Sequence, residues 1–209
     1  MPVLEKIAFF QNRRDEVPNQ LLARELNDAR DHAGIQEIAG NLWNKNHNVR
    51  SDCLKVLYEI GYLTPDLIAQ FVGDFLKLLK DRNNRMVWGG MIALATIAAE
   101  KPGEIWEHID DVIQVTEHGT LISMVWGVKT IAGVAAASPQ YRARLLPILF
   151  NQLKTCIPRD LPLHAESVRG AVDAPNRAEY LSILEARLPE VKPSQSARIK
   201  KIIRGFNKP

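Results

Sequence analysis

Cysteines, paired histidines and long apolar runs are all scarce in this chain, and each scarcity closes off a class of function. The two cysteines, Cys53 and Cys156, form no CxxC and belong to no Cys/His cluster. A disulfide framework or a zinc ribbon needs more, so both thiols read as reduced, buried, small hydrophobes. The five histidines, His32, His47, His108, His118 and His164, include no pair at i, i+3 or i, i+4, so no helical metal clamp is encoded. Asp28 with His32 and Glu104 with His108 stand four apart, the spacing of ordinary surface pairs on a helix. No Walker loop, GxGxxG, GxSxG or HExxH occurs. The chain therefore reads as a non-enzyme, with no cofactor, no metal and no evident small-molecule substrate. The apolar runs at 86–99 and 131–137 are too short to span a bilayer as helices. The first 16 residues lack the apolar core and small-residue cleavage site of a signal peptide. The expectation is a cytoplasmic chain with no membrane partner. No segment alternates apolar and polar residues long enough to suggest a sheet.

What is present is globular in kind. Hydrophobic residues make up 46% and charged residues 24% of the 209, too apolar and too balanced for a disordered chain. The net charge of +3 is unevenly spread: Lys192, Arg198, Lys200, Lys201, Arg204 and Lys208 occupy a tail without a single acid. Without those six, residues 1–190 carry 21 basic and 24 acidic side chains, a net of −3. A slightly acidic body does not suit a general nucleic-acid binder, although a local basic face is compatible with these numbers.

Prolines set a period. Pro65, Pro102, Pro139 and Pro175 are 37, 37 and 36 residues apart, and each opens an amphipathic run. Thr64 and Ser138 stand just before two of them, a capping hydroxyl ahead of a proline at the first helical position. A second marker falls between: Val49-Arg50, Val87-Trp88 and Val125-Trp126 recur every 38 residues, each opening a second helix. Val49, Cys53, Val56 and Ile60 then share one helical face. Two helices per 37 or 38 residues predict an all-α, right-handed α-solenoid of stacked antiparallel hairpins. The reading is one domain over 1–209: an N-terminal helical region (1–44), repeats (45–192) and a basic capping helix (193–209). Within the repeats it places a second helix at 46–61, full repeats at 65–100, 102–137 and 139–173, and a last helix at 175–188. Pro193 and Ser194 are expected to break the chain before a final helix at 196–206, with Ile199, Ile202, Ile203 and Phe206 on one face.

LLPILFNQLKTC (145–156), with its internal Pro147, resembles the first helix of a HEAT repeat, and NHNVRSDCLKVLYEIG (46–61) resembles the second. The resemblance covers about residues 35–190. It implies a HEAT-like or armadillo-type superhelix and leaves the function open, because the architecture hosts many roles. HEAT repeats commonly carry an Arg that pairs along the stack; at that position this chain has Arg50, then Trp88, Trp126 and His164. The middle repeats therefore depart from the usual polar ladder at this position. GIQEIAGNLWNKNHNVRSDCLKVL (34–57) also resembles the Leu-Trp helix of the HEAT-like DNA alkylation repair glycosylases. In that alignment Trp88 matches an aromatic of the catalytic helix. The acid that should follow is absent, because the next four residues are Gly89, Gly90, Met91 and Ile92. This resemblance implies a catalytically inactive relative that could hold nucleic acid, and no release of alkylated bases.

Two readings of function follow. The first is a non-enzymatic scaffold that holds a protein partner, or a second copy of itself, on a concave surface formed by helices 46–61, 84–99 and 122–137. The second is nucleic-acid binding through a basic face containing Lys55, Arg85 and Lys129. Candidate binding residues are Arg50, Lys55, Trp88, Ala93, Trp126, Lys129, Ile131 and His164. Helices 86–99 and 124–137 are apolar or small almost all round. Either Gly89, Gly90, Ala93, Gly127 and Gly133 let backbones approach in a tight curl, or an apolar strip lies open. The strip Gly89, Ala93, Thr96 and its counterpart Gly127, Ile131, Val134 are expected to face away from a core built by Val87, Met91 and Leu94.

Overall fold

The computed structural model describes residues 2–206, and Lys208 of the basic tail lies outside them. Every regular element among the described residues is helical, and no strand is present. The helices alternate between two rows. The inner row is α1 (Val17–Asp28), α3 (His47–Leu63), α6 (Asn84–Ile97), α9 (Leu121–Ala137), α11 (Leu161–Val168) and α13 (Pro193–Phe206). The outer row is α2 (His32–Gly40), α4 (Asp66–Ala69) with α5 (Val72–Leu78), α7 (Pro102–Glu107) with α8 (Ile109–His118), α10 (Pro139–Thr155) and α12 (Arg177–Arg187). Inner helices pack on inner helices in chain order, so the molecule is an α-solenoid.

The proline markers open outer-row elements, but in different ways. Pro102 and Pro139 sit at the start of α7 and α10, and Ser138 caps α10 by accepting the Tyr141 amide (3.1 Å). Pro65 stands one residue ahead of α4, and the Thr64 side chain caps nothing. Pro193 begins α13 instead of breaking the chain, consistent with the tolerance of proline at a first helical turn. Two outer helices are each split. At Phe71 and His108 the amides bond to carbonyls three residues back (3.0 and 3.1 Å), a tighter turn that bends the row.

The inner helices begin on a recurring cap. Asn46 accepts the Asn48 amide and Asn83 the Arg85 amide, each at 2.9 Å. One turn earlier Asn44 and Asp81 accept the amides of Asn46 and Asn83 (2.9 and 2.8 Å). Arg50 ties the first of these turns to the second. Its guanidinium pairs with Asp81 and donates to the Leu42 carbonyl (2.8 Å), 5.7 Å from the Trp43 ring centre. An ion pair between repeats is thus present at Arg50, and a second joins Arg142 to Asp173 (2.9 Å).

In α6 and α9 the small residues do let backbones approach, and the expected open strip is corrected. Ala93, Ile131 and Val134 are 0–1% exposed. The reason is crowding: α6 has α3 and α9 on either side and α5 behind. A side chain at Gly89 would strike Leu54 of α3, and one at Gly133 would come within 2.6 Å of Ala98. Gly61 and Gly127 lie directly against the Thr96 and Thr116 hydroxyls. These small residues replace side-chain bulk with backbone approach, between neighbouring repeats at Gly61, Gly89 and Gly133 and within one repeat at Gly127.

At the other end α13 covers the last repeat with buried Ile199 and Ile202. Arg198 grips Glu166 through two bonds (3.0 and 2.6 Å), and Phe206 packs edge-on to Tyr180 with centroids 5.5 Å apart.

Candidate binding groove

The open side of the inner row is built from one line of residues per helix. On α3 that line is Asn48, Asp52, Lys55, Glu59 and Tyr62, spaced at helical intervals. On α6 it begins with exposed Arg85 and half-buried Trp88, then shrinks to Ile92 and Ala95. On α9 it runs from exposed Ile122 through half-buried Trp126 to exposed Lys129. Tyr62 and Trp126 meet with ring centres 5.6 Å apart, bridging over the small residues of α6. Tyr58 packs edge-on to Tyr62 (5.9 Å), and the Lys129 ammonium lies 4.8 Å from the Trp126 ring centre. The result is a continuous ridge of three aromatic rings with a cation at its far end.

The near end is already charge-balanced. Lys55 bonds Glu16 and Glu59, each at 2.7 Å, and its ammonium is 4.9 Å from the Tyr58 ring centre. Burial works against the ammonium, but the two carboxylates outweigh it and hold its pKa above the usual lysine value. Arg85 stands 3.7 Å from the other Glu16 oxygen. Glu16 belongs to a loop, residues 8–16, that leans over the start of α3. The Phe9 amide donates to Asp52 (2.8 Å), the Ala8 amide to Asn19 (2.9 Å), and the Asn19 side chain in turn to Asp52 (2.9 Å). Between this loop and α3 lies a polar cleft of about 420 Å³, reached by Arg14, Asn48 and Arg85.

Of the sequence candidates, Lys55, Trp88, Trp126 and Lys129 lie on this face. Arg50 does not: it is an inter-repeat rung at the turn edge. Ala93 and Ile131 are core, and Ile131 points outward between the rows beside Thr116 and Leu149. His164 is fully buried, and neither ring nitrogen has a hydrogen-bond partner. Sequence reasoning missed Glu16, Tyr58, Glu59 and Tyr62. The signal was present for three of them, because Lys55, Tyr58, Glu59 and Tyr62 fall at i, i+3, i+4, i+7 on one face of α3.

The remaining candidates for chemistry are quiet. Burial, with Asp52 and Glu37 nearby, pushes the Cys53 thiol up to about 12, which leaves it protonated and inert. Among the described residues no three His, Cys, Asp or Glu side chains gather as a metal site. Among them, too, no helix is long and apolar enough to cross a membrane.

His164 predicts a pH effect. Burial lowers its pKa below the usual 6.5, only partly opposed by Asp160. The unfolded chain then takes up the proton first, so stability is full above about pH 6.5 and falls as the pH drops below it. His164→Leu should remove that slope in urea melts between pH 7.5 and 5 and be neutral or stabilising at pH 7.5. An unchanged slope would contradict the assignment.

The sequence matches no family model and no curated protein. Solved structures share the architecture. An engineered protein has 15% identity and a TM-score of 0.67, over 99% of this chain and 97% of the other. A designed armadillo repeat protein in complex with the peptide (KR)4 has 14% identity and a TM-score of 0.66, over 98% of both. A computationally designed armadillo repeat protein for modular peptide recognition has 13% identity and a TM-score of 0.67, over 97% of both. At these identities the likeness concerns the fold, an armadillo-type α-solenoid.

Proposed function

We propose that this chain is a non-enzymatic scaffold that holds an extended segment of a protein partner in the groove of α3, α6 and α9. The observation that carries the reading is the Tyr58–Tyr62–Trp126 ridge ending at Lys129. Aromatic rings give large contact area at little entropic cost, and here Tyr62 is exposed and Trp126 half-buried, with buried Tyr58 packed behind them. Two of the similar solved structures are described by peptide binding or recognition, which agrees with this use of such a surface. The alternative, an inactive HEAT-like relative of the alkylation repair enzymes holding nucleic acid, needs cations free for phosphates. Of Lys55, Arg85 and Lys129, the first is held by Glu16 and Glu59 and the second stands near Glu16, which leaves Lys129 open beside aromatic and apolar side chains, a surface better suited to a peptide than to a run of phosphates. A cytoplasmic setting and the HEAT subtype belong to the same proposal, the latter supported by the Arg50–Asp81 rung.

Selecting a random dodecamer library against the full chain tests it. Enriched peptides should bind the wild type and lose about tenfold or more in affinity for Trp126→Ala, the usual cost of removing an aromatic anchor. Peptides that bind this variant as well as the wild type, or no enrichment at all, would refute the groove.

A further inference from the structure

The near end of the groove is not empty of protein: the chain's own loop, residues 8–16, lies over it. Its closing contact is electrostatic. Glu16 places one oxygen 2.7 Å from the Lys55 ammonium and the other 3.7 Å from Arg85, so one carboxylate bridges α3 and α6. Most other bonds of the loop are internal turns, such as the Asn12 amide to the Phe9 carbonyl (3.1 Å) and the Arg13 amide to the Ala8 carbonyl (2.9 Å), and its ties to the helices are at its start, where the Ala8 amide reaches Asn19. Asp52 anchors the Phe9 amide, Arg13 folds back on Asp15 (2.7 Å), and Asn12 adopts a left-handed φ of 52°. Phe9, Val17 and residues 11–16 are exposed. A segment tied down by side-chain bonds at its two ends and exposed between them opens at low free energy. The contact also reports what the groove accepts, because the resident group on the two cations is a carboxylate.

Beyond Tyr62 the face continues with no resident. Lys129 is exposed, rests on Trp126 and has no carboxylate partner among the described residues. Leu121 and Ile122 lie at the start of the same helix, 48% and 43% exposed. Arg14, at the rim of the polar cleft, is likewise without a carboxylate partner among the described residues. The open contacts on this face are therefore cationic and apolar.

We infer that the partner segment of this groove is acidic and apolar, and that it displaces Glu16 from Lys55 and Arg85. An acid of the segment takes over the Glu16 contacts, its apolar side chains lie along Tyr62 and Trp126, and a second acid reaches Lys129. The 8–16 loop then acts as an internal competitor that raises the affinity a true partner must have. This rests on the proposed groove and adds its charge preference and its gate.

The test uses the full chain and three fluorescent octapeptides, (Glu-Leu)4, (Lys-Leu)4 and (Lys-Arg)4, followed by anisotropy at low and moderate salt. The wild type should bind (Glu-Leu)4 and neither basic peptide. Glu16→Gln should tighten (Glu-Leu)4 by about tenfold, because the competing carboxylate is gone. Lys129→Glu should weaken it by a similar factor, and both effects should shrink with salt. Trypsin cleavage after Arg13 and Arg14 gives an independent readout of the loop: it should be faster in Glu16→Gln and in wild type with (Glu-Leu)4 bound. Preference for either basic peptide would overturn the acidic partner. Tighter binding absent in Glu16→Gln, while Lys129→Glu still weakens (Glu-Leu)4, would overturn the gate and leave the groove. Binding unaffected by Lys129→Glu and by Trp126→Ala would overturn the groove itself.

Discussion

Ile131→Glu should unfold this protein at room temperature. Ile131 is 1% exposed and faces the interior between the inner and outer rows. Removing the isoleucine loses about 3 kcal/mol of burial, and an unpaired carboxylate in that position adds several more. The sum, roughly 5 kcal/mol or more, matches the entire stability of a marginal domain. Ala93→Glu should behave the same way, since Ala93 is 0% exposed between tightly packed helices. Ala136→Glu is the internal control, because Ala136 lies on the same helix as Ile131 but is exposed; it should shift stability by no more than about 0.5 kcal/mol. Thermal melts of the three variants decide the matter. A folded Ile131→Glu with a near-native melting temperature would reinstate an exposed strip.

Arg50→Ala carries the second largest effect. Arg50 and Asp81 have side chains only 18% and 14% exposed, so the pair sits mostly out of water. Removing the arginine leaves the half-buried Asp81 carboxylate without its cation, held by the Asn83 amide, and takes a donor from the Leu42 carbonyl. Breaking such a pair from one side costs about 3 kcal/mol. Arg50→Lys should recover only part of this, because an ammonium cannot fork to both acceptors. The pH dependence has a definite sign. Burial raises the Asp81 pKa, but the Asn83 amide and the Arg50 guanidinium outweigh it and hold the carboxyl below its usual 3.8. A depressed carboxylate stabilises the fold above its unfolded pKa, and the contribution is lost as the pH falls below about 4. Urea melts at pH 7 and pH 3 should therefore differ less in Arg50→Ala than in the wild type. An equal difference in both would show that the rung is ornamental.

The fold was legible because the markers are local. A proline at a helix start and a Val-Trp pair one helix later need no tertiary information to be seen at a steady period. The caps at Asn46 and Asn83 are equally local and 37 residues apart. The face of α6 was not legible. Its side chains are apolar and small on every side, so periodicity carries no direction, and only the position between α3 and α9 buries Ala93. His164 shared the register of Trp88 and Trp126, yet α11 is shorter and lies between α9 and α13, which places the imidazole in the core. The groove was half legible. Lys129 stands out on an apolar helix and Trp126 repeats the register of Trp88, whereas the Glu16 contact depends on a loop whose path is set by side-chain bonds to Asp52 and Asn19.

The central claim is that one face, the groove of α3, α6 and α9, receives the partner. Amide hydrogen exchange on the full chain, with and without a peptide selected on it, tests this most directly. Slowed exchange should be confined to α3, α6 and α9, with faster exchange in residues 8–16 as the loop is displaced. Slowing in the outer helices α5, α8 and α10, with the inner row unchanged, would contradict it.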